Sequence, residues 1–139
     1  MNDAGDIILF PIGHVDSALT DLDAAPRQGD EGAPDAWVVI NPDVAAALLG
    51  TEVGDEVVII TWLDRAQRDV LVTHPRGDTS RPESGVFATR APDRPNPIGL
   101  HLARVVEIDA NRVRVDRLEA IDGTPVLDLK PMLASPDRR

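Results

Sequence analysis

The sequence predicts an all-β, barrel-like domain with a single short helix. Three observations carry that reading. Short runs rich in β-branched residues recur along the chain, most clearly at Ala36–Ile40 and Glu56–Trp62. The stretch 112–118, RVRVDRL, alternates apolar and polar side chains at the period of a strand. Only the stretch after Asn41 carries helix signals at both of its ends. Many short strands with one small helix favour an all-β packing around one core.

Residues 6–12 form a short apolar run and are expected to be the first strand. Residues 16–36 are polar and hold Gly, Pro and Asp, which reads as a long loop around Pro26-Arg27-Gln28. Ala36–Ile40 is strand-like. Asn41 is placed to cap a helix, Pro42 suits its first turn, Asp43 complements its dipole and Gly50 closes it. A short helix is therefore expected over 42–49. Glu56–Trp62 and residues 69–73 read as strands, and 74–84 as a polar loop. Residues 86–89 are expected to be a strand that runs into a proline-rich turn. Residues 100–108 and 112–118 flank Asp109-Ala110-Asn111, a hairpin signal. In the second arm Val113, Val115 and Leu118 are core candidates, with the arginines facing out. Asp122-Gly123 is a strong turn pair, residues 126–129 form a last strand, and 134–139 read as a flexible tail.

Length and composition bound the function. The 139 residues make one domain, expected over 1–133. There is no cysteine, hence no disulfide, thiolate metal site or nucleophilic thiol. His14, His74 and His101 have no paired ligand spacing, so no metal is expected. The start, MNDAGD, is acidic and has no leader pattern, and no apolar run approaches the roughly 20 residues of a membrane span. The expectation is a cytoplasmic protein with no membrane partner.

The net charge is −10, which opposes a polyanionic partner at long range. The charge is uneven, however. Residues 65–104 hold seven arginines against four acids, a local balance of +3, and the remainder is left at −13. Such a distribution suits a compact anionic ligand or a small piece of RNA. The aromatic residues are only Phe10, Trp37, Trp62 and Phe87, too few for an extended stacking platform, and two or more are expected in the core.

Two stretches carry chemistry. Residues 85–99 read GVFATRAPDRPNPIG, with prolines at 92, 95 and 97, Arg90, Arg94 and Asn96. Proline fixes φ, removes a donor and restrains its predecessor, so this is a stiff, shaped loop. Two guanidinium forks on a stiff loop suit an anion or substrate. The plainer reading is a rigid connection with its arginines in surface ion pairs. Residues 122–131 read DGTPVLDLKP. No G-x-G-x-x-G follows a strand and no Walker loop is present, so a Rossmann-type nucleotide site is unsupported.

Residues 85–100, residues 122–132 and Pro26-Arg27-Gln28 together resemble the TsaA-like family, whose patterns read GVFATRSPxRPNPIGL, DGTPVLDIKPY and PRQ. The chain departs at Ala91, Leu129 and Met132. The family's best-known members are tRNA methyltransferases that act on the threonylcarbamoyl-adenosine beside the anticodon and use S-adenosyl-L-methionine. The resemblance implies a compact β-barrel, a homodimer and a cofactor pocket made of loops. By position, Pro26, Arg27 and Gln28 would line that pocket, Arg90, Leu100 and Leu102 would flank it, and Asp122, Gly123, Thr124 and Pro125 would form the opposite wall. Leu63 and Asp64 stand where many members have His-Gln, so their roles rest on position alone. No catalytic residue is assigned. His101 follows the first motif and is the right kind of group for a base, yet a lone histidine on a strand is more often structural.

Further departures bear on the acceptor. Asp16 replaces a common basic residue, and the Pro-Tyr pair that often follows Ser17 is absent. The sequence stops soon after its Lys-Pro motif, where well-studied bacterial members continue into a second domain. Together with the acidic charge these features weaken the case for tRNA and leave the cofactor case untouched. The default expectation is methylation of the modified tRNA adenosine. The alternatives are methylation of a small metabolite, or S-adenosyl-L-methionine binding without catalysis.

Overall fold

In the computed structural model, residues 5–20, 32–74 and 78–133 are described. They form β1 (Gly13–Asp16), β2 (Ala36–Ile40), β3 (Glu56–Trp62), β4 (Val72–Thr73), β5 (Ser84–Gly85), β6 (Ile98–Asp109), β7 (Arg112–Val115) and β8 (Pro125–Pro131). Six strands pair antiparallel in the order β1-β2-β7-β6-β3-β8, and β8 returns to β1, so the sheet closes into a barrel without an open edge. β4 and β5 make a separate two-stranded ribbon.

Period-2 alternation puts one face of every strand inside. Val57, Ile59 and Thr61 of β3 are buried, as are Ala103 and Val105 of β6, Val113 and Val115 of β7, and Val38 and Ile40 of β2. Each such valine or isoleucine contributes roughly 1.5–3 kcal/mol by leaving water. β6 is long enough to serve two partners, pairing with β3 up to Arg104 and with β7 beyond it. A register shift between Val105 and Glu107 marks the bend. Leu118 is also buried, but not by simple continuation of β7. Arg117 has φ 49°, which resets the phase of the chain after the strand ends at Val115.

Several expectations require correction. Residues 6–12 are not a strand. Ile7, Ile8, Leu9 and Phe10 are all exposed, Pro11 offers no donor, and ladder bonding starts only where the Ile12 N–H donates to the Val126 carbonyl at 2.7 Å. The strand expected over 69–73 shrinks to Val72–Thr73. The strand expected over 86–89 is a 3-10 turn, Val86–Ala88, because Thr89 turns its hydroxyl back onto the Val86 carbonyl at 3.0 Å. The expected helix is a 3-10 segment, Pro42–Leu48, with proline in its first turn. Asn41 does not cap it through its side chain and donates instead to the Pro11 carbonyl at 3.1 Å. None of the four aromatic residues is in the buried core; Trp37 and Trp62 are half-buried on the outside, each under an arginine.

The connections sort by barrel end. β1 finishes, β2 begins, β3 finishes, β6 begins, β7 finishes and β8 begins at one end, following the antiparallel registers. The described parts of the connections 17–35, 63–97 and 116–124 therefore leave from that end, and the segments 85–99 and 122–131 lie on two of them or begin at their edge. The 3-10 segment Pro42–Leu48 and the Ala110-Asn111 hairpin turn lie at the other.

Candidate functional site

The row through Thr61 organises the motif end. Thr61 pairs with Gly99 of β6 on one side and with Val126 of β8 on the other. Neighbouring strands lie about 4.8 Å apart, so the first motif's exit and the strand that follows the Asp-Gly turn are about 10 Å apart across β3. Pro26, Arg27 and Gln28 belong to the connection that also leaves from this end, but they lie outside the described residues.

The motif loop is fastened from within. Pro97 is fully buried, and its carbonyl accepts the Leu63 N–H at 2.8 Å. The Asp93 carboxylate accepts the Gln67 N–H, the Gln67 carbonyl accepts the Arg94 N–H, and Arg68 donates to the Pro95 carbonyl and the Asn96 side chain. Arg94 corrects the picture of two projecting forks. It is half-buried, and its guanidinium donates to the carbonyls of Val86, Thr89 and Ala91 at 2.7–3.1 Å. Arg90 is exposed and makes no side-chain hydrogen bond among the described residues. Of the two loop arginines, only Arg90 is without a side-chain partner among the described residues. Phe87 lies on the same loop and is 83% exposed.

The Asp-Gly turn is bonded to the end of β1. Asp122 accepts the Ser17 N–H through Oδ1 at 3.0 Å, its own N–H donates to the Leu19 carbonyl, and the Gly123 N–H donates to the Val15 carbonyl. Gly123 has φ 84°, a left-handed conformation that favours glycine, and open space lies where a side chain would be. Thr124 is buried and donates its hydroxyl to the Ile121 carbonyl, so it shapes the turn rather than facing a ligand. Pro125 is half-buried at the start of β8.

Thus Leu63, Asp64, the loop bearing Arg90 and residues 122–125 share one barrel end. Leu100 and Leu102 do not join them. They point outward from β6, beside Ile60 and Val58 of β3, and Leu102 is three residues along β3 from the Thr61 row. With Ile98 opposite Trp62 they form an exposed apolar stripe on the outer wall.

One cluster at this end was not legible in the sequence. His101 is 5% exposed and points into the barrel. Its Nε2 lies 2.7 Å from the Thr61 hydroxyl and its Nδ1 2.5 Å from Glu119 Oε1. The other Glu119 oxygen is buried without a partner among the described residues. Inward-facing positions of β3 and β6 at residues 61 and 101 could have signalled the first contact; nothing in the spacing signals Glu119. No group of three or more His, Asp or Glu among the described residues is placed to hold a metal ion, and no described helix is long and apolar enough to cross a membrane.

Comparison with known proteins agrees with the motifs. The profile described as the tRNA-methyltransferase O N-terminal domain matches residues 14–138. An S-adenosyl-L-methionine-binding protein of Archaeoglobus fulgidus is 41% identical over 124 residues, covering 89% of this chain and 88% of that protein. A probable S-adenosyl-L-methionine-binding protein of Methanothermobacter thermautotrophicus is 40% identical over 126 residues, covering 91% and 90%. The crystal structure of TrmO from Pseudomonas aeruginosa superposes with a TM-score of 0.73 at 32% identity, covering 96% of this chain and 61% of that one. The chain thus spans about three-fifths of the solved structure's length. It belongs to the family of the tRNA-methyltransferase O N-terminal domain.

Proposed function

We propose that this domain binds S-adenosyl-L-methionine at the motif end of the barrel and transfers its methyl group. The observation that carries the reading is the convergence of both motif segments on one end, flanking the Thr61 row, with Arg90 exposed and without a side-chain partner among the described residues. The names of the relatives supply the cofactor class. The residues present fit that molecule in kind. Arg90 offers a fork for its carboxylate, the exposed carboxylates of Asp64 and Asp122 suit an ammonium group or ribose hydroxyls, and the bare turn at Gly123 leaves room for a flat base. When bound, the cofactor supplies an electrophilic methyl group on sulfur. The chain's own part is to bind, orient and exclude water. Arg94, spent on three carbonyls, holds the loop that aims Arg90.

The acceptor in this reading is the threonylcarbamoyl-adenosine beside the tRNA anticodon, methylated at N6. Exposed Phe87 on the motif loop supports it, since an aromatic face suits an unstacked base. The net charge of −10 favours a second reading, a small acceptor. The domain acts as a homodimer in this account. The outward Leu100 and Leu102 sit on an apolar wall away from the turn, so a second copy packed on that wall would bring them to the pocket of its neighbour.

Calorimetry with S-adenosyl-L-methionine tests the cofactor, and nucleoside mass spectrometry of tRNA from a deletion strain tests the acceptor. No heat and no thermal stabilisation would end the cofactor reading. Unchanged methylation of the threonylcarbamoyl-adenosine would end the tRNA reading and leave the small acceptor.

A further inference from the structure

The buried polar chain Thr61–His101–Glu119 touches or adjoins in sequence the described segments at the motif end. Thr61 lies near the end of β3, just before Trp62 and the connecting residues Leu63 and Asp64. His101 follows the motif loop by two residues, and Gly99 at the loop's exit packs directly on the pair. A Cβ at Gly99 would stand 2.5 Å from Thr61 Oγ1, 2.8 Å from His101 Nε2 and 3.2 Å from Leu63 Cδ2. Glu119 lies three residues before Asp122. From these contacts we infer that His101 is a positioning residue. It locks the segment carrying the Asp-Gly turn to the exit of the motif loop, so that both walls of the pocket are held in register before a ligand arrives.

The hydrogen bonding defines how the lock works. Nδ1 pairs with Glu119 Oε1 and Nε2 pairs with the Thr61 hydroxyl, so one ring bridges both neighbours. Thr61 and His101 are shielded from water, so neither can exchange its partner for solvent without cost. Burial also separates this role from general-base catalysis, because the ring does not reach the exposed surface of the turn. The residue acts through Leu63 and Asp64 on one side and through residues 119–125 on the other.

This inference rests on the proposed cofactor site, and the experiment separates the two. S-adenosyl-L-methionine affinity is measured by calorimetry well below each variant's unfolding temperature, together with apo thermal unfolding. Thr61→Val keeps the volume and removes the hydroxyl, His101→Leu removes both bonds, and His101→Gln restores a donor and an acceptor. The expected result is a roughly tenfold loss of affinity in Thr61→Val and in His101→Leu, recovery to within about threefold in His101→Gln, and no further loss in the Thr61→Val/His101→Leu double variant. A purely structural role would lower the unfolding temperature and leave the affinity of the folded protein unchanged. That pattern in Thr61→Val, which is the variant least prone to misfold, overturns the inference. Arg90→Ala and Asp122→Ala serve as controls. If they weaken binding and the Thr61 and His101 variants do not, the positioning role alone fails. If none of them does, the site itself has been misplaced.

Discussion

Gly99→Ala is the smallest change that presses on the motif end. The added methyl would meet Thr61 Oγ1 at 2.5 Å and His101 Nε2 at 2.8 Å, both closer than packed atoms allow. Thr61 is fully buried on a closed barrel strand and cannot retreat into solvent. Overpacking of this kind costs about 1–3 kcal/mol. Displacing the Thr61–His101 bond leaves a buried polar group unsatisfied, at a further ~1–3 kcal/mol. The stiffer unfolded chain returns about 0.5–1 kcal/mol. The net loss is then about 3 kcal/mol, a large part of the roughly 5–15 kcal/mol that holds a domain folded. Urea unfolding of both proteins measures it, with the slope checked for constancy. In a Thr61→Ala background the methyl has more room, so the two substitutions together should cost less than the sum of each alone. A loss under about 0.5 kcal/mol, or strict additivity, would refute the packing argument.

Other expectations follow from the same end of the molecule. Arg94→Ala removes three bonds to loop carbonyls, so it should destabilise the protein by about 1–3 kcal/mol and speed amide exchange over 86–94. Exchange rates that do not move would show the loop is stiff by proline alone. Arg90→Ala should leave stability within about 0.5 kcal/mol, yet weaken S-adenosyl-L-methionine binding by about 1.5–3 kcal/mol. Gly123→Ala forces a side chain into a left-handed conformation and should cost about 1–2 kcal/mol by chemical unfolding; a neutral result would place the turn in another conformation. Asp78 sits below the usual carboxylate range because the Ser80 hydroxyl, and then the Ser80 N–H, donate to it. A lowered value means the turn's contribution is present at neutral pH and is lost as pH falls through the carboxylate range. Ser80→Ala should raise the Asp78 midpoint in an NMR titration, and an unmoved midpoint would remove that cause.

The sequence carried the barrel strands well wherever local pattern and tertiary role agreed. Ala36–Ile40 and Glu56–Trp62 alternate because one face is inside, and their bounds coincide with β2 and β3. Pattern failed where local chemistry prevailed over β propensity. Val86 is β-branched, but the Thr89 hydroxyl and Arg94 both seize its carbonyl and curl the chain. Ile7 to Phe10 are apolar without alternation, and the ladder simply begins after Pro11. The two motifs were legible as stiff loop and tight turn, but not the spending of Arg94 inside its own loop. Nor was the Glu119 contact, because it joins residues 18 apart across a break in strand phase at Arg117. Leu100 and Leu102 were named by family position, and the register of β6 against β3 places both outside.

Hydrogen exchange with and without S-adenosyl-L-methionine locates the ligand most directly. The account predicts slowed exchange in 85–99 and 119–125 together, with the 42–50 end of the barrel unchanged. Protection confined to the 42–50 end, or to one of the two motif segments alone, would contradict it.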